Sequence, residues 1–97
     1  MIEQILVGST VNVTPTTMDD IDNHRMGVTT FSGPYGSFIA VIDDPVLEQK
    51  LIQNKELLLL TALAREHGCT WIYLDRDADP IEILPTYENE WTLHFTL

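Results

Sequence analysis

The most regular hydrophobic pattern of the chain lies between residues 44 and 67, where apolar residues recur at the spacing of an α-helix. This stripe consists of Val46, Leu47, Leu51, Ile52, Leu58, Leu59, Ala62 and Leu63. Gly68 favours a helix end directly after the last apolar positions, and Asn54 is a capping residue inside the stretch. We therefore predict a helix over residues 44–67, either continuous or broken near residues 53–54.

A shorter helix is predicted near the N-terminus, over residues 15–23. Thr14 can accept a hydrogen bond from an unpaired backbone N–H of the first turn, and Pro15 suits the first helical position because it has no N–H to leave unpaired. Asp19 and Asp20 follow in the early turns, where the helix dipole favours negative charge.

The remaining apolar segments favour extended structure, because they alternate with polar residues or are rich in β-branched and aromatic types. The predicted strands cover residues 2–13, 26–31, 36–43, 71–74, 81–84 and 91–97. Residues 32–36 contain two glycines and one proline, which predicts the turn of a β-hairpin. In the strand after this turn, Phe38 lies on one face and Ile39 on the other, so we expect both faces to be covered.

The order of these elements predicts an α+β fold. We expect a mostly antiparallel sheet with one long helix packed on one face and a short N-terminal helix. The chain has 97 residues, which fits a single small domain over residues 1–97.

The charge of the chain narrows its possible partners. It has fifteen acidic and five basic residues, so its formal net charge is −10. Binding to DNA or RNA phosphates and binding to anionic membranes both depend on clustered Lys and Arg, so both are disfavoured. There is one cysteine, no apolar run near the ~20 residues of a membrane span, and no basic segment before an apolar one at the N-terminus. We expect a cytoplasmic protein.

The acidic residues are concentrated in three regions, of which Asp43 and Asp44 form the smallest. Between residues 71 and 97 there are six acids and a single base, Arg76. The six are Asp75, Asp77, Asp79, Glu82, Glu88 and Glu90. Asp19, Asp20 and Asp22 form a second cluster. Two interpretations remain open: the charge serves solubility, or it forms an anionic surface that pairs with a basic partner.

Asp75, Asp77 and Asp79 also suggest a metal site, because carboxylates at every second position begin a calcium-binding loop. The rest of that loop does not follow, since Pro80 replaces its glycine and Thr86 replaces its bidentate glutamate. A divalent-metal-binding module or metal-dependent enzyme centred on these three residues is the alternative hypothesis. The simpler interpretation is a polar strand end in which Arg76 pairs with a carboxylate.

Two segments carry a resemblance to a known family. The first contains Gly68-Cys69-Thr70-Trp71-Ile72, Asp75-Arg76-Asp77-Ala78 and Leu84-Pro85-Thr86-Tyr87, and the second contains Val13-Thr14-Pro15-Thr16-Thr17 with Tyr35-Gly36 and Phe38. With this order and spacing, residues 7–91 resemble a family of small proteins carried by plasmids and prophages. Genes of this kind often lie near anti-restriction and anti-defence genes, so the resemblance implies interaction with a host system and no particular chemistry.

Charge and resemblance together predict a non-enzymatic interaction protein without a cofactor. It would inhibit a host nucleic-acid-handling defence complex, of the CRISPR or restriction type, by occupying its basic DNA-binding surface as a DNA mimic. The expected partner-binding residues are Asp75, Asp77, Asp79, Glu82, Glu88, Glu90, Asp19, Asp20 and Asp22. Trp71, Tyr87 or Trp91 could anchor the contact. The expected partner is a basic host protein or nucleoprotein, with no direct contact to nucleic acid or membrane. The protein itself would be a monomer, or a homodimer paired through the strand over residues 91–97.

Overall fold

A computed structural model describes residues 2–41 and 54–96, with the backbone alone for residues 93–96. The strands are β1 (Ile5–Ser9), β2 (Thr30–Ser32), β3 (Gly36–Ala40) and β4 (Trp71–Asp75). The helices are α1 (Pro15–Asp22), α2 (Lys55–Glu66) and α3 (Glu88–Thr96), and a 3-10 turn covers Thr10–Asn12.

The four strands form one mixed sheet in the order β1-β4-β3-β2. β4 pairs in parallel with β1 and antiparallel with β3, and β2 pairs antiparallel with β3. The α+β class is therefore confirmed. The antiparallel prediction is correct for two of these three pairings. β1 and β4 are parallel, and the long chain segment between them provides the crossover that a parallel pair requires.

A single hydrophobic core lies between one face of the sheet and the helices. Ile39, Ile72 and Leu74 project from this face, and Ile21, Leu57 and Leu60 from α1 and α2 pack with them. The predicted coverage of β3 on both faces is wrong, because Phe38 on the opposite face remains 37% exposed. The helices in the described part of the chain thus protect one side of the sheet.

The predicted helix signals are confirmed where the structure describes them. The Thr14 hydroxyl oxygen accepts a hydrogen bond from the N–H of Thr17 at the start of α1. The Asn54 side chain accepts one from the N–H of Leu57 at the start of α2. Gly68 has a φ of 70° after α2, a conformation that glycine adopts at low cost. Residues 42–53 lie outside the described residues, so the described part of the predicted long helix is α2 alone.

The first turns of α1 and α2 are joined by one carboxylate. Glu56 of α2 accepts hydrogen bonds from the N–H of Thr14 and from the hydroxyl of Thr17, the latter at 3.0 Å. The side-chain amide of Asn54 also donates to the Thr17 hydroxyl oxygen at 3.0 Å. Because a helix N-terminus carries unpaired N–H groups and partial positive charge, a carboxylate at this position stabilises it.

The Asn12 side chain connects the end of β1 to the C-terminal region. Its carbonyl oxygen accepts from the N–H groups of Ser9 and Ile81, at 3.2 and 2.9 Å. Its NH₂ group donates to the carbonyls of Ile81 and Pro85, both at 3.3 Å. Since Asn12 is 3% exposed, these four bonds satisfy a buried amide completely. The predicted strand over residues 81–84 is therefore wrong: the segment is a turn whose polar groups bond to Asn12 and not to a neighbouring strand.

The predicted strand over residues 91–97 is also wrong, because residues 88–96 form α3. Glu88 and Glu90 occupy the first turn, where the helix dipole favours them. The Trp91 indole N–H donates to the carbonyl of Val13 at 2.8 Å, which fixes the helix against the rest of the fold. A homodimer paired through this segment as an edge strand consequently has no structural basis.

The other predicted strands are shorter than expected. The strand predicted over residues 2–13 is β1, which stops at Ser9 because Ser9 caps the 3-10 turn that follows. The strand predicted over residues 26–31 reaches sheet pairing only at Thr30. Before it, His24 adopts a positive φ of 57° and contacts the Thr30 hydroxyl at 2.7 Å, so the chain turns before it pairs.

Replacing Asn12 should strongly destabilise the protein. Asn12→Ala leaves buried donors and acceptors unpaired, so we expect a loss of about 2–4 kcal/mol in the free energy of unfolding. Asn89→Ala, at an exposed position of α3, should change it by less than about 0.5 kcal/mol. Urea unfolding followed by circular dichroism measures both, and equal stability of the two variants would contradict the role given to Asn12.

Two glycines of the hairpin should respond differently to alanine. A Cβ on Gly36 would overlap the backbone carbonyl of Leu74 in the neighbouring strand, whereas a Cβ on Gly33 would meet its nearest atom at 4.0 Å. We expect Gly36→Ala to cost about 2–4 kcal/mol in the free energy of unfolding and Gly33→Ala less than about 1 kcal/mol. Thermal and urea unfolding of the pair provide the comparison, and the reverse order would show that β3 and β4 are not this close.

Candidate functional site

The first group of predicted site residues lies where β4 ends. Asp75 is the last residue of β4, and its carboxylate accepts a hydrogen bond from the N–H of Asp77 at 2.9 Å. This bond forms a local turn, after which Asp77 and Asp79 are exposed. The carboxylates of Asp77 and Asp79 are therefore on the surface, whereas Asp75 is half-buried.

These three aspartates do not converge on a common point. Among the residues that the structure describes, no three His, Cys, Asp or Glu side chains are placed to hold a metal ion. The alternating Asp pattern therefore corresponds to a strand end followed by a turn.

The six acidic residues between Asp75 and Glu90 carry unneutralised charge. In the described part of the chain, none of the six forms an ion pair. Arg76, the base within the same segment, forms no ion pair with a described residue, and its backbone N–H donates to the carbonyl of Tyr35 at 3.0 Å. The predicted pairing of Arg76 with a neighbouring carboxylate is thus absent from the described structure.

The second acidic cluster is partly neutralised. The Arg25 guanidinium contacts the carboxylates of Asp19 at 2.5 Å and Asp20 at 2.8 Å. Hydrogen bonds to Asp20 and then to Asp19 raise the pKa of Arg25 above its usual value. The Asp22 carboxylate instead accepts hydrogen bonds from the hydroxyls of Ser32 and Ser37, at 2.8 and 2.7 Å. Asp22 is therefore the member of this cluster that forms no ion pair with a described residue.

A groove of about 760 Å³ runs along α1. Asp19 and Asp22 on α1 form one wall, and Arg76 and the β2–β3 turn contribute to its lining. Trp91 of α3 also lines it. The structure thus brings two of the three residues of the second acidic cluster, Asp19 and Asp22, together with Arg76 in one concavity. The six carboxylates between residues 75 and 90 lie outside its lining.

Tyr87 and Trp91 have structural roles at the start of α3. The backbone N–H of Tyr87 donates to the carbonyl of Val11 at 2.8 Å, next to the bond between the Trp91 indole and Val13. Partial burial, and then the nearby charges of Glu56 and Glu90, raise the pKa of the Tyr87 phenol above its usual value. Both side chains are half-buried, so neither is an exposed anchor for a partner.

The sheet face opposite the helices carries an apolar surface that is not among the predicted sites. We call this surface the open face, and it consists of Ile5, Val7, Phe31, Phe38, Trp71 and Tyr73. Val7, Tyr73, Phe38 and Phe31 are direct register partners across all four strands. The exposed fraction is 60% for Phe31, 53% for Val7 and 46% for Ile5. An apolar row therefore crosses the sheet on its uncovered side.

The rings of the open face contact each other and end at carboxylates. Phe38 stacks on Tyr73 with ring centres 4.4 Å apart, and Phe31 lies 5.9 Å from Trp71. Trp71 is the first residue of β4, and its indole N–H donates to the carboxylate of Glu3 at 3.2 Å. Asp75 occupies the other end of the same strand and has the same side-chain direction as Trp71 and Tyr73. Of the predicted aromatic anchors, Trp71 is the one that lies on this face.

The sequence contained a signal for this surface. Apolar residues at every second position, as in Ile5–Val7 and Trp71–Tyr73, place two apolar side chains on one face of a strand. Their neighbours Leu6, Ile72 and Leu74 are also apolar, so the strands read as covered on both sides. Whether a second layer covers the sheet depends on tertiary packing and not on this pattern.

Comparison with known proteins assigns the family. A family model described as "Family of unknown function (DUF5983) C-terminal domain" matches residues 5–89. The chain belongs to this family. No curated protein and no solved structure matches the chain significantly. In the described part of this DUF5983 domain, no helix has the length and apolar character needed to cross a membrane.

The DUF5983 match covers the elements that form the three candidate surfaces, apart from the end of the acidic segment and most of α3. Residues 5–89 run from the first residue of β1 to the first turn of α3. The open face, the groove wall on α1 and the acids from Asp75 to Glu88 fall within this range, with Glu90 and Trp91 just beyond it. The family definition therefore describes the folded unit that carries these surfaces.

The raised pKa of Tyr87 predicts a loss of stability at high pH. Because folding favours the neutral phenol, its contribution is complete below the usual tyrosine pKa of about 10 and is lost as pH rises through the folded-state value. The free energy of unfolding should therefore fall more steeply above pH ~10 in the parent protein than in Tyr87→Phe. Urea unfolding at several alkaline pH values tests this, and parallel curves would contradict it.

Proposed function

We propose that this protein is an acidic interaction protein of a mobile genetic element. In this proposal it inhibits a host nucleic-acid-handling defence complex, of the CRISPR or restriction type, by occupying its basic DNA-binding surface. The observation that carries the proposal is the set of six carboxylates between Asp75 and Glu90, none of which forms an ion pair with a described residue.

Unpaired surface carboxylates favour a basic partner for a physical reason. A DNA-binding surface presents Lys and Arg side chains that normally contact phosphates. Carboxylates can accept charge-assisted hydrogen bonds from the same side chains, and pairing releases counterions from both surfaces. Complementary charge also accelerates the encounter between the two proteins.

The backbone that carries these carboxylates is held in place, which reduces the entropy lost on binding. Asp75 belongs to β4, and its bond to the N–H of Asp77 orders the turn. Glu82 follows Ile81, whose N–H and carbonyl both bond to the buried Asn12 amide. The part of the acidic segment from Asp75 to Glu82 is therefore fixed at one end by β4 and at the other by the bonds between Ile81 and Asn12.

The second cluster contributes unequally in this proposal. Asp19 and Asp20 already pair with Arg25, so a partner's base would compete with an existing ion pair. Asp22 has no such competitor among the described residues and is held by two serine hydroxyls. We therefore rank Asp22 above Asp19 and Asp20 as a contact residue.

Affinity capture tests the proposal. The purified protein, immobilised through a tag, should retain a nucleic-acid-binding protein from a lysate of a host with active restriction and CRISPR systems. Because the contact is electrostatic and overlaps the DNA site, raised salt and added duplex DNA should both release the retained protein. Recovery of no nucleic-acid-binding protein at low salt, or retention that duplex DNA does not reverse, would contradict the proposal.

Charge-neutralising variants identify the residues that act. The triple variant Asp77→Asn, Asp79→Asn, Glu82→Gln removes three exposed charges and should weaken partner binding by about tenfold, since an exposed charge pair contributes about 0.2–1 kcal/mol. Glu66→Gln, at an exposed position at the end of α2, is the matched control for Glu82→Gln and should leave affinity within about twofold. Biolayer interferometry measures these values. Equal affinity of the triple variant and the parent protein would exclude this segment as the contact.

A further inference from the structure

We propose that the open face is the docking surface for an arginine-bearing surface of the partner. Guanidinium groups stack on its rings, of which Phe31 and Phe38 are exposed and Trp71 and Tyr73 are half-buried. The carboxylates of Glu3 and Asp75 pair with the same guanidinium groups at the two ends of β4. This inference rests on the proposed function, because it names the surface on which the basic partner is bound.

The open face has the character of an interaction site. It is an apolar row continuous across four strands, with Phe31 60% exposed on the edge strand β2. The core residues lie on the opposite side of the same sheet, so this row contributes little to the described core. A continuous apolar patch on the surface of a monomer is often functional. Aromatic residues are also the commonest anchors of protein interfaces.

The charge of the chain selects the occupant. A second copy would bring a further ten net negative charges to the contact, and face-to-face packing would bring the Glu3 and Asp75 carboxylates of the two copies close together. Single-stranded nucleic acid stacks on exposed aromatic rings elsewhere, but those platforms lie in positively charged grooves. A basic protein surface satisfies both the rings and the carboxylates.

Arginine fits this surface better than lysine. Its planar guanidinium stacks on aromatic rings and also donates two parallel hydrogen bonds to a carboxylate, whereas the lysine ammonium is a compact, strongly hydrated charge. Along β4 the ring of Trp71 lies beside the Glu3 carboxylate, at 3.2 Å from its indole nitrogen. Tyr73 precedes Asp75 on the same face, and Phe38 stacks against it. Each end of β4 thus has a ring beside a carboxylate, Trp71 with Glu3 at the start and Tyr73 with Asp75 at the end.

Labelled peptides test the arginine preference directly. Fluorescein-labelled nona-arginine and nona-lysine carry equal charge, so a difference in their affinity reports stacking and bidentate pairing. By fluorescence anisotropy at about 0.1 M salt, nona-arginine should bind about fivefold more tightly than nona-lysine. In ¹⁵N-labelled protein, nona-arginine should shift the amide signals of β1, β2, β3 and β4 more than those of α2.

Two variants each remove one part of the proposed contact, an exposed ring or an exposed carboxylate. Phe31→Thr in β2 and Glu3→Gln beside Trp71 should each reduce the arginine preference to within about twofold. Ile83→Thr is the matched control for Phe31→Thr, because Ile83 is 77% exposed and lies outside the sheet, and it should keep the full preference. Circular dichroism and thermal unfolding establish that each variant is folded, and an unchanged preference in both variants overturns the inference.

The possible outcomes separate this inference from the proposed function. Equal affinity for the two peptides, together with weaker binding of both by the Asp77→Asn, Asp79→Asn, Glu82→Gln variant, overturns the open face as docking surface and leaves the proposed function standing. Failure of both peptides to bind overturns both. A dimer in sedimentation analysis that Phe31→Thr dissociates, or a twelve-nucleotide single strand that shifts the same amide signals, overturns the inference by giving the face another occupant.

Discussion

The side-chain amide of Asn12 holds together parts of the chain that are almost seventy residues apart. It belongs to the 3-10 turn that follows β1 and bonds to backbone groups of Ser9, Ile81 and Pro85. Without this amide, the segment after β4 would have buried polar groups and no neighbouring strand to satisfy them. The turn that contains Asp77 and Asp79 precedes the segment held by Asn12, and α3 follows it. The positions of both depend on these hydrogen bonds.

Coverage of the sheet on one side determines where a partner can bind. The core is complete on the helical side, and the opposite side presents rings between the carboxylates of Glu3 and Asp75. The two proposals concern one molecule in which apolar and anionic surfaces adjoin at the end of β4.

Features that depend on neighbouring residues could be predicted from the sequence. The caps at Thr14 and Asn54, the turn between β2 and β3, and β4 itself all arise from local preferences of a few residues. The helix over residues 88–96 could not be predicted in this way, because its alternating pattern resembles a strand. The contact that orients it is with the carbonyl of Val13, 78 positions away.

The same distinction applies to the candidate site. The exposure of Asp77 and Asp79 agrees with their position after a strand, which the sequence shows. The pairing of Arg25 with Asp19 and Asp20 depends on how the chain turns after α1, and the open face depends on which side of the sheet the helices cover. Neither of these is encoded in a local pattern.

The carboxylate of Glu56 has a consequence for the order in which the chain can fold. α1 has eight residues, too few to persist as an isolated helix in water. The N–H of Thr14 and the hydroxyl of Thr17 reach their acceptor 42 and 39 positions later in the sequence. During synthesis, the first turn of α1 therefore lacks this acceptor until Glu56 has left the ribosome, so α1 and α2 can support each other only from that point.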